Sequence, residues 1–244
     1  GRRRDRHGPF AGGFRRIGTF AGAPLPGGDA ATREPMRQLV GRWVSAGVQP
    51  DAARLAQMGV SVPEAETWKQ QCLSGVNTVT THSAGRVFDS MAALLGIVPR
   101  TITYDGQPAA LLEACAARHA GGRLPHLEFA ARESDGFMRI DWAPAFRLMF
   151  ERAGQAGQEP AWAMAFHEKM AEAAAVMIQH GLDCTGHRTV ALSGGVFMNR
   201  ILTSLLTTRL RSMNVDCLLH RRTPPNDGGI ALGQAVVAGS RKEA

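Results

Sequence analysis

The run Ala191-Leu-Ser-Gly-Gly-Val-Phe-Met-Asn199-Arg200 is the stretch of this sequence best equipped for chemistry. A short apolar strand empties into Gly194-Gly195, and a helix follows. Glycine has no Cβ, so the backbone there can approach a ligand closely, while the helix start offers unpaired N–H groups and a positive dipole end to an anion. That is the layout of a nucleotide-type site. The pattern lacks the Gly-Lys-Ser/Thr ending of a Walker loop and is not G-x-G-x-x-G. A Gly-Gly turn between strand and helix also occurs without any ligand, so anion binding and a plain connection both stay open. Ser193 is not in a G-x-S-x-G nucleophile setting and reads as backbone support.

Two carboxylates stand in comparable settings. Asp227, in Pro224-Pro-Asn-Asp-Gly-Gly229, follows an apolar strand and opens the last helix. It either caps that helix or presents its oxygens to a metal at the strand end. Asp89, in Ser83-Ala-Gly-Arg-Val-Phe-Asp89, falls inside an apolar-faced helix, where aspartate is a poor residue. It either hydrogen-bonds a ligand such as a ribose or faces solvent.

The elements that must position these residues follow from periodicity. Met36, Leu39, Val40, Trp43 and Val44 recur at helical spacing over Glu34 to Ala46, with Pro35 suited to the first turn. Further helices are expected from Pro63-Glu64 to Leu73, Ala84 to Leu95, Gln107 to His119, Ala143 to Ala153 and Ala161 to His180. In the last of these Phe166, Met170, Ala173, Ala174 and Met177 form a stripe that reads as core. Leu124 to Ala131 and Phe137 to Ile140 read as a hairpin about Ser134-Asp135-Gly136. The last sixty residues alternate: strand Thr189 to Leu192, helix Asn199 to Ser212, strand Val215 to Leu219, helix Ile230 to Val237. Such alternation predicts parallel strands covered by helices, an α/β arrangement whose ligands bind at the carboxyl ends of the strands. Residues 1–30, rich in Gly, Arg and Pro, read as an irregular segment preceding one lobe over 31–244.

Composition bounds the rest. The 244 residues, 44% of them apolar, suffice for a real core. Apolar runs stop short of a bilayer span, and the basic start Gly1-Arg-Arg-Arg-Asp-Arg leads into no apolar run of signal-peptide kind, so a cytoplasmic protein is expected. Net charge is +7, but only Lys69, Lys169 and Lys242 are lysines and no aromatic residues interleave the arginine clusters; no nucleic-acid partner is expected. Cys72, Cys115, Cys184 and Cys217 form no C-x-x-C pair, and no two histidines sit four apart, so the chain offers no ready-made metal site.

Ser193-Gly-Gly-Val-Phe-Met-Asn-Arg200, Pro224-Pro-Asn-Asp-Gly-Gly-Ile-Ala-Leu-Gly-Gln234, Gly85-Arg-Val-Phe-Asp-Ser-Met-Ala-Ala-Leu-Leu-Gly96, Tyr104-Asp-Gly-Gln107 and Leu25-Pro-Gly-Gly-Asp-Ala-Ala-Thr-Arg-Glu-Pro35 together resemble the hydrogenase-maturation carbamoyltransferase (HypF) family, in the family's order and from about Phe14 to Gly239. The resemblance implies an actin-like ATPase fold, of which this chain carries mainly the second lobe, with a mixed sheet and packed helices. It implies an enzyme that turns carbamoyl phosphate and ATP into carbamoyl-adenylate and passes the carbamoyl group to the C-terminal cysteine of a HypE-type partner. The product becomes a cyanide ligand of nickel–iron hydrogenase. It further implies that Gly194, Gly195 and Asn199 contact the nucleotide, Asp89 its ribose, that Gly106 and Glu113 line the same pocket, and that Asp227 is a ligand of a divalent metal, be it zinc, iron or magnesium. The attacking thiol belongs to the partner, which leaves the four cysteines as bystanders. The family's paired metal histidines and Asp-Gly phosphate loop lie in the first lobe and have no counterpart before Phe14, so a fragment with little or no turnover alone is expected. Two other readings are a small-molecule O-carbamoyltransferase and a non-catalytic lobe that binds nucleotide or docks a maturation partner. The last should expose an apolar face.

Overall fold

The computed structural model describes residues 15–152 and 157–240. In chain order the elements are β1 (Gly18–Phe20), β2 (Ala23–Pro26), α1 (Ala30–Arg33), α2 (Pro35–Ala46), α3 (Ala52–Gln57), α4 (Val62–Ser74), β3 (Thr78–Thr81), α5 (Ala84–Leu94) and α6 (Gln107–Ala116), then β4 (Ala130–Ser134), β5 (Phe137–Asp141), α7 (Ala143–Arg152), α8 (Glu159–Thr185), β6 (Thr189–Leu192), α9 (Arg200–Ser212), β7 (Asp216–Leu219) and α10 (Ile230–Ser240). Short 3₁₀ turns, Gly195–Met198 and Asp227–Gly229, precede α9 and α10.

The strands form a mixed three-stranded sheet, β1-β5-β4, and two pairs, β2-β3 and β6-β7. β1 runs parallel to β5, β4 antiparallel to β5, and β6 parallel to β7. The expected α/β class with a mixed sheet and packed helices is what the structure has. In the β4-β5 hairpin Ser134 pairs with Phe137, leaving a two-residue loop of Asp135 (φ 53°) and Gly136 (φ 71°). Two consecutive positive φ angles make the type I′ turn whose twist matches the strands, and Asp-Gly is among the sequences that tolerate it best.

Two sequence expectations need correction. The irregular segment expected over 1–30 contains β1 and β2, which belong to the lobe, since β1 pairs with β5 and β2 with β3; residues 1–14 of that expectation lie outside the described residues. Their pairing partners lie far along the chain, so local composition conceals them. Pro24 and Pro26 fit β2 because both strands of a two-stranded sheet are edges. The second correction concerns Leu124 to Ala131, where pairing starts only at Ala130. Leu127 is fully buried and Leu124 and Phe129 partly so; that stretch is apolar because it packs against the core, not because it pairs.

The helices form where the apolar spacing places them. α2 starts with Pro35 at its first turn and buries Met36, Leu39, Val40 and Trp43 on one side. Gly41 lets β2 lie directly on this helix: a Cβ there would stand 1.9 Å from the Pro24 carbonyl oxygen. α4 begins with a reciprocal capping box between Ser61 and Glu64, a device that contributes about 1 kcal/mol. α5 is buried continuously from Val87 to Leu94. Phe88 of α5 meets Phe166 of α8 edge-on at 4.9 Å, and Trp142 packs on Phe166 at 5.4 Å. The stripe on α8 is core at Phe166, Met170 and Ala173, with Ala174 and Met177 half-buried beside it. This aromatic centre is joined to the segment that carries Asn199 through His167, which contacts Phe88 and Phe166 and hydrogen-bonds Asn199.

α10 stands apart. Its described side chains are exposed save a half-buried Val237, although Ile230, Leu232 and Val236 are apolar. Leu218 and Leu219 of β7 are likewise exposed.

Candidate functional site

β6 and β7 run parallel, with Leu192 paired to Leu219, so Ser193 and His220 leave the sheet side by side at its carboxyl end. There Gly194 takes φ 105°, a value that L side chains rarely adopt. Its N–H donates to the Pro225 carbonyl at 2.8 Å, which ties the Gly-Gly turn to the loop after β7. The turn then winds into Gly195–Met198, closed by the Phe197 N–H donating to the Gly194 carbonyl at 3.0 Å. The N–H groups of Gly195 and Val196 have no acceptor of their own within this turn. Gly194 and Gly195 are exposed and Val196 half-buried. A pair of backbone donors without acceptors at the end of a parallel strand is what an anionic ligand needs.

Asn199 is placed differently from what its motif suggests. It is buried, and both its polar atoms are engaged: Oδ1 accepts from the Leu202 N–H at 2.8 Å, and Nδ2 donates to His167 Nε2 at 2.9 Å. The cap fixes the amide's orientation and therefore the histidine's tautomer. Nε2 must accept, so Nδ1 carries the proton and donates to the Ala163 carbonyl at 2.7 Å. Burial holds the His167 pKa below the ordinary histidine value, consistent with a neutral ring. His167 was invisible as a site residue in the sequence. Its only trace is a polar residue beside the buried Ala163, Phe166 and Met170 of α8, at spacings that keep it on the core side.

Glu113 is brought to the same place by α6, again in an unexpected role. Its Oε1 accepts from the N–H groups of Arg200 and Ile201, at 2.6 and 3.2 Å. The carboxylate of α6 thus occupies the positive end of α9, and the donors that sequence reasoning assigned to a ligand are already satisfied from within. What remains open to an anion is the turn before the helix.

Asp89 is 1% exposed. The solvent-facing alternative is therefore wrong, since the residue points into the lobe. Its Oδ2 lies 3.0 Å from Arg86 Nη2, yet no hydrogen bond of good geometry reaches that oxygen. Burial pushes the carboxyl up to about 6 against the pull of Arg86 and a hydrogen bond from Gln38, with Asp105 pushing it further up. Asp105 adjoins Gly106, the αL residue (φ 81°) that opens α6 and is exposed with open space around it. α5, the helix that carries Asp89, also contacts the Gly195–Met198 turn, and Glu113 bonds the start of the helix that follows that turn.

Asp227 is not the helix cap. Asn226 caps the 3₁₀ turn that precedes α10, its Oδ1 accepting from the Gly228 N–H at 3.1 Å while its Nδ2 donates to Met198 Sδ at 3.1 Å. The Asp227 side chain is exposed and makes no ion pair with the described residues. Among the described residues no three His, Cys, Asp or Glu side chains come together in a way that could hold a metal ion. Asp227 supplies one donor, too few for a site built from this chain alone. All four cysteines are free, and burial pushes the Cys72 thiol up to about 11, away from nucleophilic behaviour. A separate groove of about 700 Å³ lies between residues 123–127 and the first half of α8, lined by Arg123, Arg152, Trp162 and Lys169 among others; none of the sequence-predicted site residues faces it. No helix of the described residues is long and apolar enough to cross a membrane.

Comparison with known proteins gives this geometry its context. Residues 10–234 match the family described as carbamoyltransferase, Kae1-like domain, second subdomain. The chain is 36% identical to the carbamoyltransferase HypF of Rhodobacter capsulatus over 95% of its own length and 29% of the relative's. It is 34% identical to a carbamoyltransferase HypF homolog of Cupriavidus necator, covering 91% of this chain and 57% of that one. The solved structure of a full-length HypF in its phosphate- and nucleotide-bound form superposes with a TM-score of 0.82 at 27% identity, over 95% of this chain and 30% of the other. The chain thus spans less than a third of the Rhodobacter relative. It belongs to the HypF carbamoyltransferase family, and corresponds to the second subdomain of that family's Kae1-like domain.

Proposed function

We propose that this chain is the nucleotide-contacting half of a hydrogenase-maturation carbamoyltransferase. In that reading a carbamoyl group derived from carbamoyl phosphate and ATP passes, as carbamoyl-adenylate, to the C-terminal cysteine thiol of a HypE-type partner and becomes a cyanide ligand of the nickel–iron site. The observation that carries it is the open donor pair, Gly195 N–H and Val196 N–H, held by the Gly-Gly turn at the carboxyl end of two parallel strands. A phosphate oxygen placed there meets donors that need no reorganisation, the condition under which hydrogen bonds stabilise shifting charge most effectively.

The remaining residues take supporting roles. Asp89 accepts from the ribose hydroxyls through Oδ2, which faces Arg86 but receives no hydrogen bond. Gly106, without a Cβ, leaves room for the nucleotide beside Asp105. Glu113 and Asn199 act on the nucleotide through the backbone they hold: one locks α9 to α6, the other anchors the turn to His167. Asp227 contributes one carboxylate to a divalent ion whose other ligands come from outside this chain. No nucleophile is required here, because the thiol is the partner's.

A second reading draws on the exposed apolar side chains of Leu218, Leu219, Ile230, Leu232 and Val236. They give the lobe a docking surface, a role it would keep without turnover.

Calorimetric titration of the purified chain with a non-hydrolysable ATP analogue, with and without magnesium or zinc, tests the first reading. Binding that is weakened by Asp89→Ala supports it. A chain that binds no nucleotide under any of these conditions retains the docking role alone.

A further inference from the structure

We infer that His220 is a positioning residue for the phosphate chain, holding the Ser193 hydroxyl so that it joins Gly195 N–H and Val196 N–H as a third donor to the anion. The inference rests on the nucleotide reading above. It starts from topology: since Leu192 and Leu219 pair in parallel register, the next residue of each strand, Ser193 and His220, is brought together across 27 positions of sequence. Ser193 Oγ lies 3.0 Å from His220 Nε2, and His220 Nδ1 lies 3.4 Å from Thr223 Oγ1. Ser193 and His220 are exposed, so the hydrogen bond between them adds little to the stability of the lobe.

A serine hydroxyl has one proton to give, and which way it points is set by its neighbour. With the imidazole proton on Nδ1, donated to Thr223, Nε2 takes the serine proton and the oxygen turns its lone pairs toward the turn, where an anion would meet them unfavourably. With the proton on Nε2, the ring donates to Ser193 Oγ, Thr223 donates to Nδ1, and the serine O–H is released toward the ligand. The two tautomers differ only in which ring nitrogen carries the proton, and because the ring is exposed they exchange through solvent. A phosphate oxygen at Gly195 and Val196 selects the second. Ser193 immediately precedes Gly194, which puts it next in the chain to the turn that carries the two N–H donors.

The test uses the purified chain and two probes, ATP and adenosine, whose difference isolates the phosphate contacts. Ser193→Ala and His220→Ala should each weaken ATP about tenfold, the scale of one hydrogen bond to a charged group. The double variant should lose no more than either single one, and His220→Gln, whose amide N–H reaches a hydroxyl, should keep nearly the parent's affinity. Adenosine binding should be the same in all of them. Variants that bind ATP like the parent, or whose losses add, overturn the inference and leave the nucleotide reading standing. Equal losses for adenosine would assign the pair to the fold and overturn it too. A parent chain that binds neither probe removes the nucleotide reading, and this inference with it.

Discussion

Asp89→Asn separates the electrostatics of the buried site from its function. Burial pushes the folded-state carboxyl up to about 6, against about 3.9 for an exposed aspartate. Between those two values the folded chain holds a proton that the unfolded chain has lost. The stability this group contributes is therefore full below about pH 4, is lost as pH rises through about 6, and is absent at neutral pH. Two pH units at about 1.4 kcal/mol each give a ceiling of about 3 kcal/mol for the loss. Asparagine is nearly isosteric with the protonated acid and does not titrate. The variant should gain on its parent by about 2–3 kcal/mol between pH 4 and pH 8, read as a diverging urea midpoint. His167, whose depressed pKa costs stability in acid, is common to both proteins and cancels in the difference. A gap between variant and parent that stays the same at every pH would refute the reasoning, because it would mean that the carboxyl ionises normally in the folded state. The same substitution should weaken ATP and adenosine alike, since it touches the ribose and not the phosphates.

Two further perturbations probe the scaffold. Glu113→Ala uncovers the start of α9 and removes two charge-assisted hydrogen bonds; a loss of about 1–2 kcal/mol, or about 2–8 °C in melting temperature, is expected. Sulfate should restore more of that stability to the variant than it adds to the parent, and an unchanged melt would show that the carboxylate is not the cap described. Gly41→Ala forces a Cβ against the Pro24 carbonyl, which is backbone and cannot swing away. Separating β2 from α2 should cost about 3 kcal/mol or more, measured by chemical denaturation; a variant as stable as the parent would place the strand farther from the helix.

What the sequence reveals and what it hides divide along a physical line. Helical periodicity reports a face buried by many neighbours, so α2, α5 and α8 are legible from spacing, although α8 runs on to Thr185 because Gly181 and Leu182 sustain the core side past His180. The Asp135-Gly136 turn is legible because its chemistry is local. β1, β2 and β3 span three or four residues each and exist only through partners elsewhere, and nothing local marks them. The same holds within the site. Gly194 is readable because a positive φ demands glycine wherever the rest of the chain lies. Glu113 is not, because its role depends on α6 meeting α9 across 87 positions.

That division also explains which site residues keep capacity for a ligand. Asn199 and Glu113 sit in motifs that suggest contact, yet each spends its hydrogen bonds on the protein: one on Leu202 and His167, the other on the first N–H groups of α9. Hydrogen-bonding capacity survives at Gly195 N–H, Val196 N–H, the Ser193 hydroxyl, Asp89 Oδ2 and the Asp227 carboxylate. The first three are donors and suit an anion; the last two are acceptors and suit hydroxyls or a cation. A phosphate ester of a ribose, accompanied by a divalent ion, presents both kinds of group in one molecule. In the proposed reading, preorganisation by the internal anion Glu113 has a consequence for selectivity: with the α9 terminus occupied, a phosphate is directed to the turn beside the loop that bears Asp227. Opening that terminus by Glu113→Ala should therefore loosen the preference for nucleotide over inorganic phosphate, a change that loss of stability alone would not produce.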